Sequence, residues 1–272
     1  MFRHRADRLP VLIILSLTLL DFVVYLTVDS FWILLPYFLV MIIPKGCICA
    51  WNHHHSHLPT FRSKPLNRLL EVAYALHTGT TTNLWLLHHV LGHHHNYLDQ
   101  QVDESRWMRK DGSTMGELEY TFKVALTAHA RAYKVGARYP KHLRVHLIYT
   151  AIVLALVAAL VAYRPLPGLM LFALPMVVGF LITAWATYDH HAGLDSQDDF
   201  SASYNMMNPV FNVVTGNLGY HTAHHYKQGV HWSELPALHE KIKDRIPAEL
   251  YRDSFWDSLP FRIAYRVLGI QT

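Results

Sequence analysis

The chain has 272 residues, 51% of them hydrophobic, and its mean hydropathy of +0.12 is unusual for a soluble globular protein. Two cysteines exclude a disulfide framework. A pI near 9.0 could indicate nucleic-acid binding, but in a membrane protein it reflects basic residues on the cytoplasmic side, so we expect no nucleic-acid partner.

Four apolar segments of about twenty residues are long enough to cross a membrane. They form two pairs, each joined by a short polar turn, at residues 10–28 and 31–50 and at residues 146–163 and 166–188. A weaker segment over residues 66–85 is interrupted by the run Thr78-Gly79-Thr80-Thr81-Thr82-Asn83, and we expect it to be re-entrant or interfacial.

The distribution of basic residues predicts the orientation. If both tight turns face one side, Arg164 is the one lysine or arginine there, which places both termini in the cytoplasm. Amphipathic helices are expected over residues 236–246 and, on the membrane surface, over residues 252–268. The sequence thus predicts an all-α, multi-pass membrane helical bundle with a cytoplasmic helical cap, forming one domain over residues 1–272.

Histidine is the compositional outlier, with 21 residues, most of them in four short clusters. The clusters are His53, His54, His55 and His57; His88, His89, His93, His94 and His95; His190 and His191; and His221, His224 and His225. In the first two, histidines four residues apart share a helical face and could reach one metal ion. Four clusters at one depth beside the bilayer predict a metal site in the cap.

The order H-x-x-x-H, H-x-x-x-H-H and H-x-x-H-H resembles the membrane fatty acid desaturase superfamily. Paired spans precede the first box and separate the second from the third, and the resemblance covers residues 10–245. The segment GNLGYHTAHH at residues 216–225, followed by His231-Trp232, is especially similar to bacterial desaturase-type proteins. The superfamily also includes acyl hydroxylases, carotenoid ketolases and fatty acid decarboxylases that make terminal alkenes.

The resemblance implies two iron ions that use dioxygen as co-substrate and are held by nine histidines. The implied ligands are His53, His57, His89, His93, His94, His191, His221, His224 and His225. His190 is an alternative to His191. Five polar residues lie close enough in sequence to orient a ligand, although a capping or solvated role is equally open for each. They are Asp99, Asp103, Glu104, Asp189 and Asn217.

No catalytic residue beyond the metal ligands is expected. Tyr97 and Tyr220 could donate to a bound oxygen species or anchor the chain at the membrane interface. The six remaining histidines considered are expected to be fold or surface residues. They are His77, His129, His142, His146, His231 and His239.

The resemblance further implies oxidation of a lipid acyl chain, with desaturation as the commonest outcome. Hydroxylation and decarboxylation to a terminal alkene remain alternatives. The sequence has neither the H-P-G-G motif of a fused cytochrome b5 nor enough cysteines for an iron–sulfur centre. We therefore expect an external electron donor, a ferredoxin. The similarity to bacterial desaturase-type proteins implies a location in a bacterial inner membrane.

Two rival interpretations remain: a metal transporter with histidine-rich cytoplasmic loops, and a zinc enzyme or degenerate binding protein. Transporters place ligands near the bilayer midplane, where the four spans have no pair of histidines, glutamates or cysteines. Asp21 is the one ionisable residue well inside a span; it marks either a functional site or a tilted helix that brings it near water. Cys47 and Cys49 are expected to pack.

Overall fold

The computed structural model describes residues 1–252. Within them, four helices are long and apolar enough to cross a membrane: Arg5–Thr27, Phe31–His57, Pro140–Tyr163 and Pro165–His191. They contain the four predicted spans except Val28, which lies just after the first helix, and confirm a mainly helical membrane bundle. The helix predicted over residues 252–268 lies outside the described residues from position 253 onward.

Residues 1–252 are mainly helical and include one two-stranded sheet. The α-helices are α1 (Arg8–Thr27), α2 (Phe31–His57), α3 (Lys64–Thr78), α4 (Glu117–Gly136), α5 (Pro140–Tyr163), α6 (Pro165–Gly168), α7 (Leu174–His191), α8 (Pro209–Thr215), α9 (His221–Tyr226) and α10 (Leu235–Ile242). Two segments are π-helical, Leu86–His94 and Leu169–Ala173, and the second joins α6 to α7. Strands β1 (Asn205–Met206) and β2 (Tyr251–Arg252) pair in parallel.

Both tight turns lie at the same end of the bundle. The Arg164 guanidinium, between α5 and α6, is 2.6 Å from Asp29 Oδ1, between α1 and α2, and it also donates to the Tyr25 carbonyl. The far ends of α2 and α7 are therefore neighbours as well, and these ends carry the first and the last-span histidine clusters. This common end was the premise of the predicted orientation.

The spans pack around a buried apolar core, and their outward-facing side chains are apolar as well. The core side chains include Tyr25, Leu34, Leu76, Val153, Leu171 and Phe172. Large apolar side chains such as Leu12, Trp32, Val40 and Leu154 are exposed instead. Apolar outer faces suit contact with lipid, and the helices satisfy their backbone hydrogen bonds internally, as a membrane-spanning structure requires.

The segment predicted to be re-entrant or interfacial forms α3 and a turn after it. Helix α3 ends at Gly79, whose φ of 69° is in the left-handed region that glycine adopts at little cost. Across from it, a Cβ on Gly179 of α7 would lie 2.8 Å from Thr78 Cα. This close backbone contact fixes the threonine-rich turn against α7.

A buried ion pair links α1 to α2. Lys45 Nζ lies 2.8 Å from Asp21 Oδ2, and each side chain is 2% exposed. Tyr37 donates to Asp21 Oδ1 at 2.8 Å, and Lys45 donates to the Leu171 carbonyl, in the π-helical segment, at 3.2 Å. Asp21 is thus paired inside the bundle and is not placed near water.

The cap packs on the histidine-bearing end. Helix α4 packs against α7 and the first π-helix, and the start of the chain is attached through Asp7, whose Oδ1 is 3.0 Å from His231 Nε2. His231 thus serves the fold, as predicted. Helix α10 ends at Ile242, before the predicted end at residue 246, and a 3-10 turn over Lys243–Arg245 continues it.

Candidate metal centre

The structure brings members of all four histidine clusters to one buried place. Their elements are the end of α2, the first π-helix, the end of α7 and α9. Two sets of ligand nitrogens, each within 4.8 Å of one another, can be distinguished. The five-histidine group is His53, His57, His89, His94 and His224, and the three-histidine group is His93, His191 and His225.

Helix α2 supplies two members of the five-histidine group because it continues past its apolar part. The rings of His53 and His57, one helical turn apart, have centroids 4.9 Å from each other. Both rings face His224 of α9, and His53 Nε2 is 2.8 Å from His224 Nε2. The predicted shared face of this i, i+4 pair is confirmed.

The second cluster is divided between the two groups by its π-helix. His94 Nε2 lies 3.0 Å from His89 Nε2, so these residues, five apart, belong to the same group. The His89 and His93 rings are neighbours, with centroids 5.2 Å apart, but His93 belongs to the other group. A π-helix has i to i+5 hydrogen bonds, and such segments often occur at functional sites. The α-helical spacing assumed from the sequence was wrong here.

The three-histidine group is centred on His191. Its Nε2 is 3.0 Å from His225 Nε2, 3.0 Å from His221 Nε2 and 3.4 Å from His93 Nε2. His221 therefore adjoins this group, and all nine predicted residues are brought together. The His190 ring stacks on His221 with centroids 3.9 Å apart and lies outside both groups.

The two groups share a boundary. The His94 ring stacks on the His225 ring, with centroids 4.0 Å and an interplanar angle of 12°. His94 Nε2 is also 3.2 Å from His224 Nε2. Adjacent groups of this kind offer places for two ions side by side.

The hydrogen bonds of two ring nitrogens test whether a cation fits. His93 Nδ1 lies 2.8 Å from Asp103 Oδ1, and His191 Nδ1 lies 2.9 Å from the Ala202 carbonyl. Because a carboxylate and a carbonyl only accept, both Nδ1 atoms carry the proton. When both imidazoles are neutral, as metal ligation requires, their Nε2 lone pairs face each other at 3.4 Å, and a cation between them would remove the repulsion. Imidazole nitrogens bound to one ion at about 2.0–2.1 Å have about this spacing.

Four histidines of the two groups, all outside the spans, are held neutral. Burial, followed by the neighbouring imidazoles, lowers the pKa of His89, His94, His224 and His225 well below the ordinary value. A metal ligand must be neutral imidazole, so the donor set matches what a transition metal requires.

Of the five residues proposed to orient a ligand, Asp103 contacts a grouped histidine through its side chain. Gly92 permits this, because a Cβ there would lie 2.8 Å from Glu104 Cγ and push the loop away. The other four have contacts that serve the fold. Asp99 accepts from Gln101 N, Glu104 pairs with Lys134, Asp189 pairs with Arg252, and Asn217 donates to the Trp232 carbonyl.

Two histidines of the first cluster that lie outside both groups have other hydrogen bonds. His54 Nε2 is 3.0 Å from the Thr215 carbonyl, and His55 contacts Thr60 and Glu71. His129 Nδ1 lies 3.4 Å from His146 Nε2, a pairing that the sequence spacing does not indicate.

The two tyrosines differ in their distance from the groups. The Tyr97 ring lies 4.3 Å from the His225 ring, and its hydroxyl donates to Asp199. Tyr220 packs against His239, which is outside both groups.

The π-helix over Leu86–His94 is not predicted by the sequence pattern. The signal for it was present in the spacing, since His89, His93 and His94 offer both an i, i+4 and an i, i+5 pair. Only the packing of neighbouring elements decides between these registers.

Comparison with known proteins identifies the family. Residues 30–256 match the fatty acid desaturase family, which is more than half of the chain. No curated protein gives a significant match. No solved structure does so either. The chain therefore belongs to the fatty acid desaturase family.

Proposed function

We propose that this protein oxidises lipid acyl chains with dioxygen at two iron ions held by the nine predicted histidines. The observation that carries the proposal is the pair of adjoining histidine groups, in which lone pairs of buried imidazoles converge. Family membership supports an oxidoreductase acting on lipid, and the four apolar helices support a substrate taken from the membrane.

Each ion has its own ligands in this proposal. His53, His57, His89, His94 and His224 would hold one, and His93, His191, His221 and His225 would hold the other. Imidazole suits several transition metals, and iron is favoured because the family typically uses a pair of iron ions. Bound iron would supply the redox chemistry needed to activate dioxygen.

The chain itself positions the ligands and excludes water. Asp103 and the Ala202 carbonyl fix the His93 and His191 tautomers, so that both Nε2 atoms face the centre. The nine side chains are buried or nearly so, which keeps bulk water from the ions. An acyl chain entering from the lipid then meets the centre at the ends of α2 and α7.

Desaturation is the reaction we favour, because it is the commonest outcome in the family. Loss of two hydrogens gives an alkene, insertion of oxygen gives an alcohol, and loss of the carboxyl carbon gives a terminal alkene. Expression of the chain followed by mass spectrometry of lipids and volatile hydrocarbons separates these products. A product with two hydrogens fewer and the same carbon number is expected, and it should disappear in His224→Ala.

The electron donor and orientation belong to the same proposal. We infer an external donor, a ferredoxin, and a bacterial inner membrane with both termini in the cytoplasm. Turnover by the purified protein with NAD(P)H alone would contradict the external donor. The variant Ser30→Cys places a cysteine in the α1–α2 turn. Its labelling by an impermeant reagent on whole spheroplasts would support this orientation, and its protection from the reagent would contradict it.

A further inference from the structure

A line of aromatic rings leads from the surface of the cap to the five-histidine group. Trp232, at its outer end, is half-buried, and its ring centroid lies 5.1 Å from that of the half-buried Trp51. The Trp51 ring lies 6.1 Å from the His54 ring. The His54 ring is in turn 5.5 Å from the His53 ring and 6.3 Å from the His224 ring, and these two belong to the five-histidine group. Short steps between rings thus connect Trp232 to two proposed metal ligands.

The start of the chain fixes the outer end of this ring line. His4, half-buried, stacks on His231 with centroids 3.9 Å apart and an interplanar angle of 9°, and the His231 ring lies 5.2 Å from the Trp232 ring. Trp232 Nε1 donates to Asp7 Oδ1 at 2.8 Å, and the same oxygen is 3.0 Å from His231 Nε2. These contacts hold the Trp232 indole against the N-terminal segment.

The surface around this outer end is basic. Residues 1–8 are held to the loop after α2 by the backbone N–H groups of Arg3 and Arg62, which donate to carbonyls at 2.9 and 3.0 Å. Five side chains of these two segments are basic, exposed and without an ion pair among residues 1–252. They form the N-terminal basic surface: Arg3, Arg5, Arg8, Arg62 and Lys64. Of the acids close by in these contacts and in the turn after His231, Asp7 is buried and Glu234 is exposed, so positive charge prevails.

The surface beside the three-histidine group is acidic instead. The loop after α7 contains Asp195, Asp198 and Asp199. Tyr97, whose ring lies 4.3 Å from the His225 ring, donates its hydroxyl hydrogen to Asp199 and so joins this loop to the group. A negatively charged protein that approaches the centre is therefore repelled by the acidic loop and attracted to the N-terminal basic surface.

We propose that the electron donor, an acidic iron–sulfur protein, docks on the N-terminal basic surface and that the ring line carries its electrons to the five-histidine group. Each reduced donor gives up one electron and is oxidised. Two donors in succession thus reduce two ferric ions to ferrous ions, and no bond forms or breaks. This assignment rests on the proposed function and adds the surface that recognises the partner.

The ring line favours a protein donor over lipid as the occupant of this surface. Arg8 begins a membrane span, so anionic lipid headgroups could contact the same side chains. Lipid does not account for the rings that lead inward from Trp232. Electron tunnelling weakens steeply with distance, so conjugated rings in close succession shorten the gap that each electron crosses. A small, charge-steered interface is also typical of electron-transfer complexes.

The docking surface is tested by equilibrium binding of an oxidised acidic ferredoxin to the full-length chain in nanodiscs of zwitterionic phosphatidylcholine. Arg3→Glu and Arg62→Glu should each weaken binding about tenfold at about 20 mM salt, and about threefold or less at about 500 mM salt, because salt screens exposed charges. Arg138→Glu is the matched control. Arg138, in the α4–α5 connection, is also exposed and without an ion pair among residues 1–252, and this variant should bind like the parent chain.

The ring line is tested by anaerobic mixing of reduced ferredoxin with the iron-loaded chain, followed through the absorbance of the ferredoxin. Trp51→Leu removes one ring and should slow oxidation of the ferredoxin by about tenfold or more, while its binding stays at the parent level. Trp51→Phe keeps a ring and should lose less. Trp32→Leu, at the other end of α2, is the control and should behave like the parent chain. Thermal unfolding verifies that each variant folds, and Trp232→Leu is available if Trp51→Leu does not.

Charge reversals that bind ferredoxin as well as Arg138→Glu does would overturn the docking surface, including the case in which they only release copurified anionic phospholipid. Oxidation of ferredoxin at the parent rate in Trp51→Leu would overturn the ring line. The binding measurement needs no metal. A chain that binds ferredoxin as expected but holds no iron would thus reject the proposed function alone. An iron-loaded chain whose ferredoxin binding ignores both charge reversals would reject the docking surface alone.

Discussion

Replacement of Asp103 tests how the chain positions a ligand. The carboxylate is 1% exposed; its Oδ1 and Oδ2 lie 2.8 and 3.0 Å from His93 Nδ1, and Oδ1 also accepts from Ser105 N at 2.7 Å. Asp103→Ala leaves both N–H groups buried without that acceptor. Loss of such an orienting partner lowers metal affinity about 10- to 100-fold, or about 1.4–2.7 kcal/mol. Asp103→Asn keeps an acceptor oxygen and should lose less.

The assay is metal content of the purified full-length chain after exposure to graded chelator. Asp103→Ala should lose the ion at the three-histidine group first, leaving about half of the metal of the parent chain. Glu104→Gln is the matched control, because the neighbouring carboxylate pairs with Lys134 and not with a grouped histidine. If Asp103→Ala retained metal as firmly as the parent and the control, the positioning argument would be refuted.

Three further predictions follow from the same geometry. Lys45→Met should destabilise the chain by about 3–5 kcal/mol, because it leaves Asp21 buried without its cation. Adding Asp21→Leu to that variant should restore much of the lost stability. Equal unfolding midpoints for Lys45→Met and the parent chain would contradict this prediction. His191→Ala should lose metal whereas His190→Ala should retain it, and the reverse result would exchange their roles. Finally, the free energy of unfolding of the metal-free chain should be full above about pH 6.5 and should fall as the pH drops below that value. Burial lowers the pKa of several histidines in the folded chain, so below about pH 6.5 the unfolded chain binds more protons than the folded chain. A thermal midpoint that stays constant from about pH 7.5 to 5.5 would refute this prediction. The histidines concerned are His88, His89, His94, His221, His224 and His225.

The spans and the position of the site could be predicted because both depend on local composition. A hydrocarbon core requires about twenty apolar residues per helix, and this requirement is visible in one segment at a time. The first and the last-span histidine clusters lie in the last turns of α2 and α7. Antiparallel pairs joined by tight turns at one side place both of those ends on the other side, and the packing of α2 against α7 brings them together.

The division of the ligands could not be predicted, because it depends on hydrogen-bond register. His93 and His94 are adjacent in sequence yet belong to different groups, and a π-helix directs them there. Similarly, His190 and His191 are adjacent, and the sequence does not show which of them is a ligand. The direction in which α7 presents them to α9 separates them, with His191 Nε2 at 3.0 Å from His225 Nε2.

Contacts between residues distant in sequence could not be predicted either. Asp103 was one of five candidates, and its selection depends on a loop that folds back past Gly92. The sequence marked Asp21 but not its pairing with Lys45 across two helices.

Metal analysis of the full-length chain, purified from membranes in mild detergent, tests directly whether the nine histidines hold two iron ions. We expect about two iron ions per chain, with a clear loss in His57→Ala and in His191→Ala but not in His190→Ala. Zinc in place of iron, or a chain that binds no metal, would contradict it.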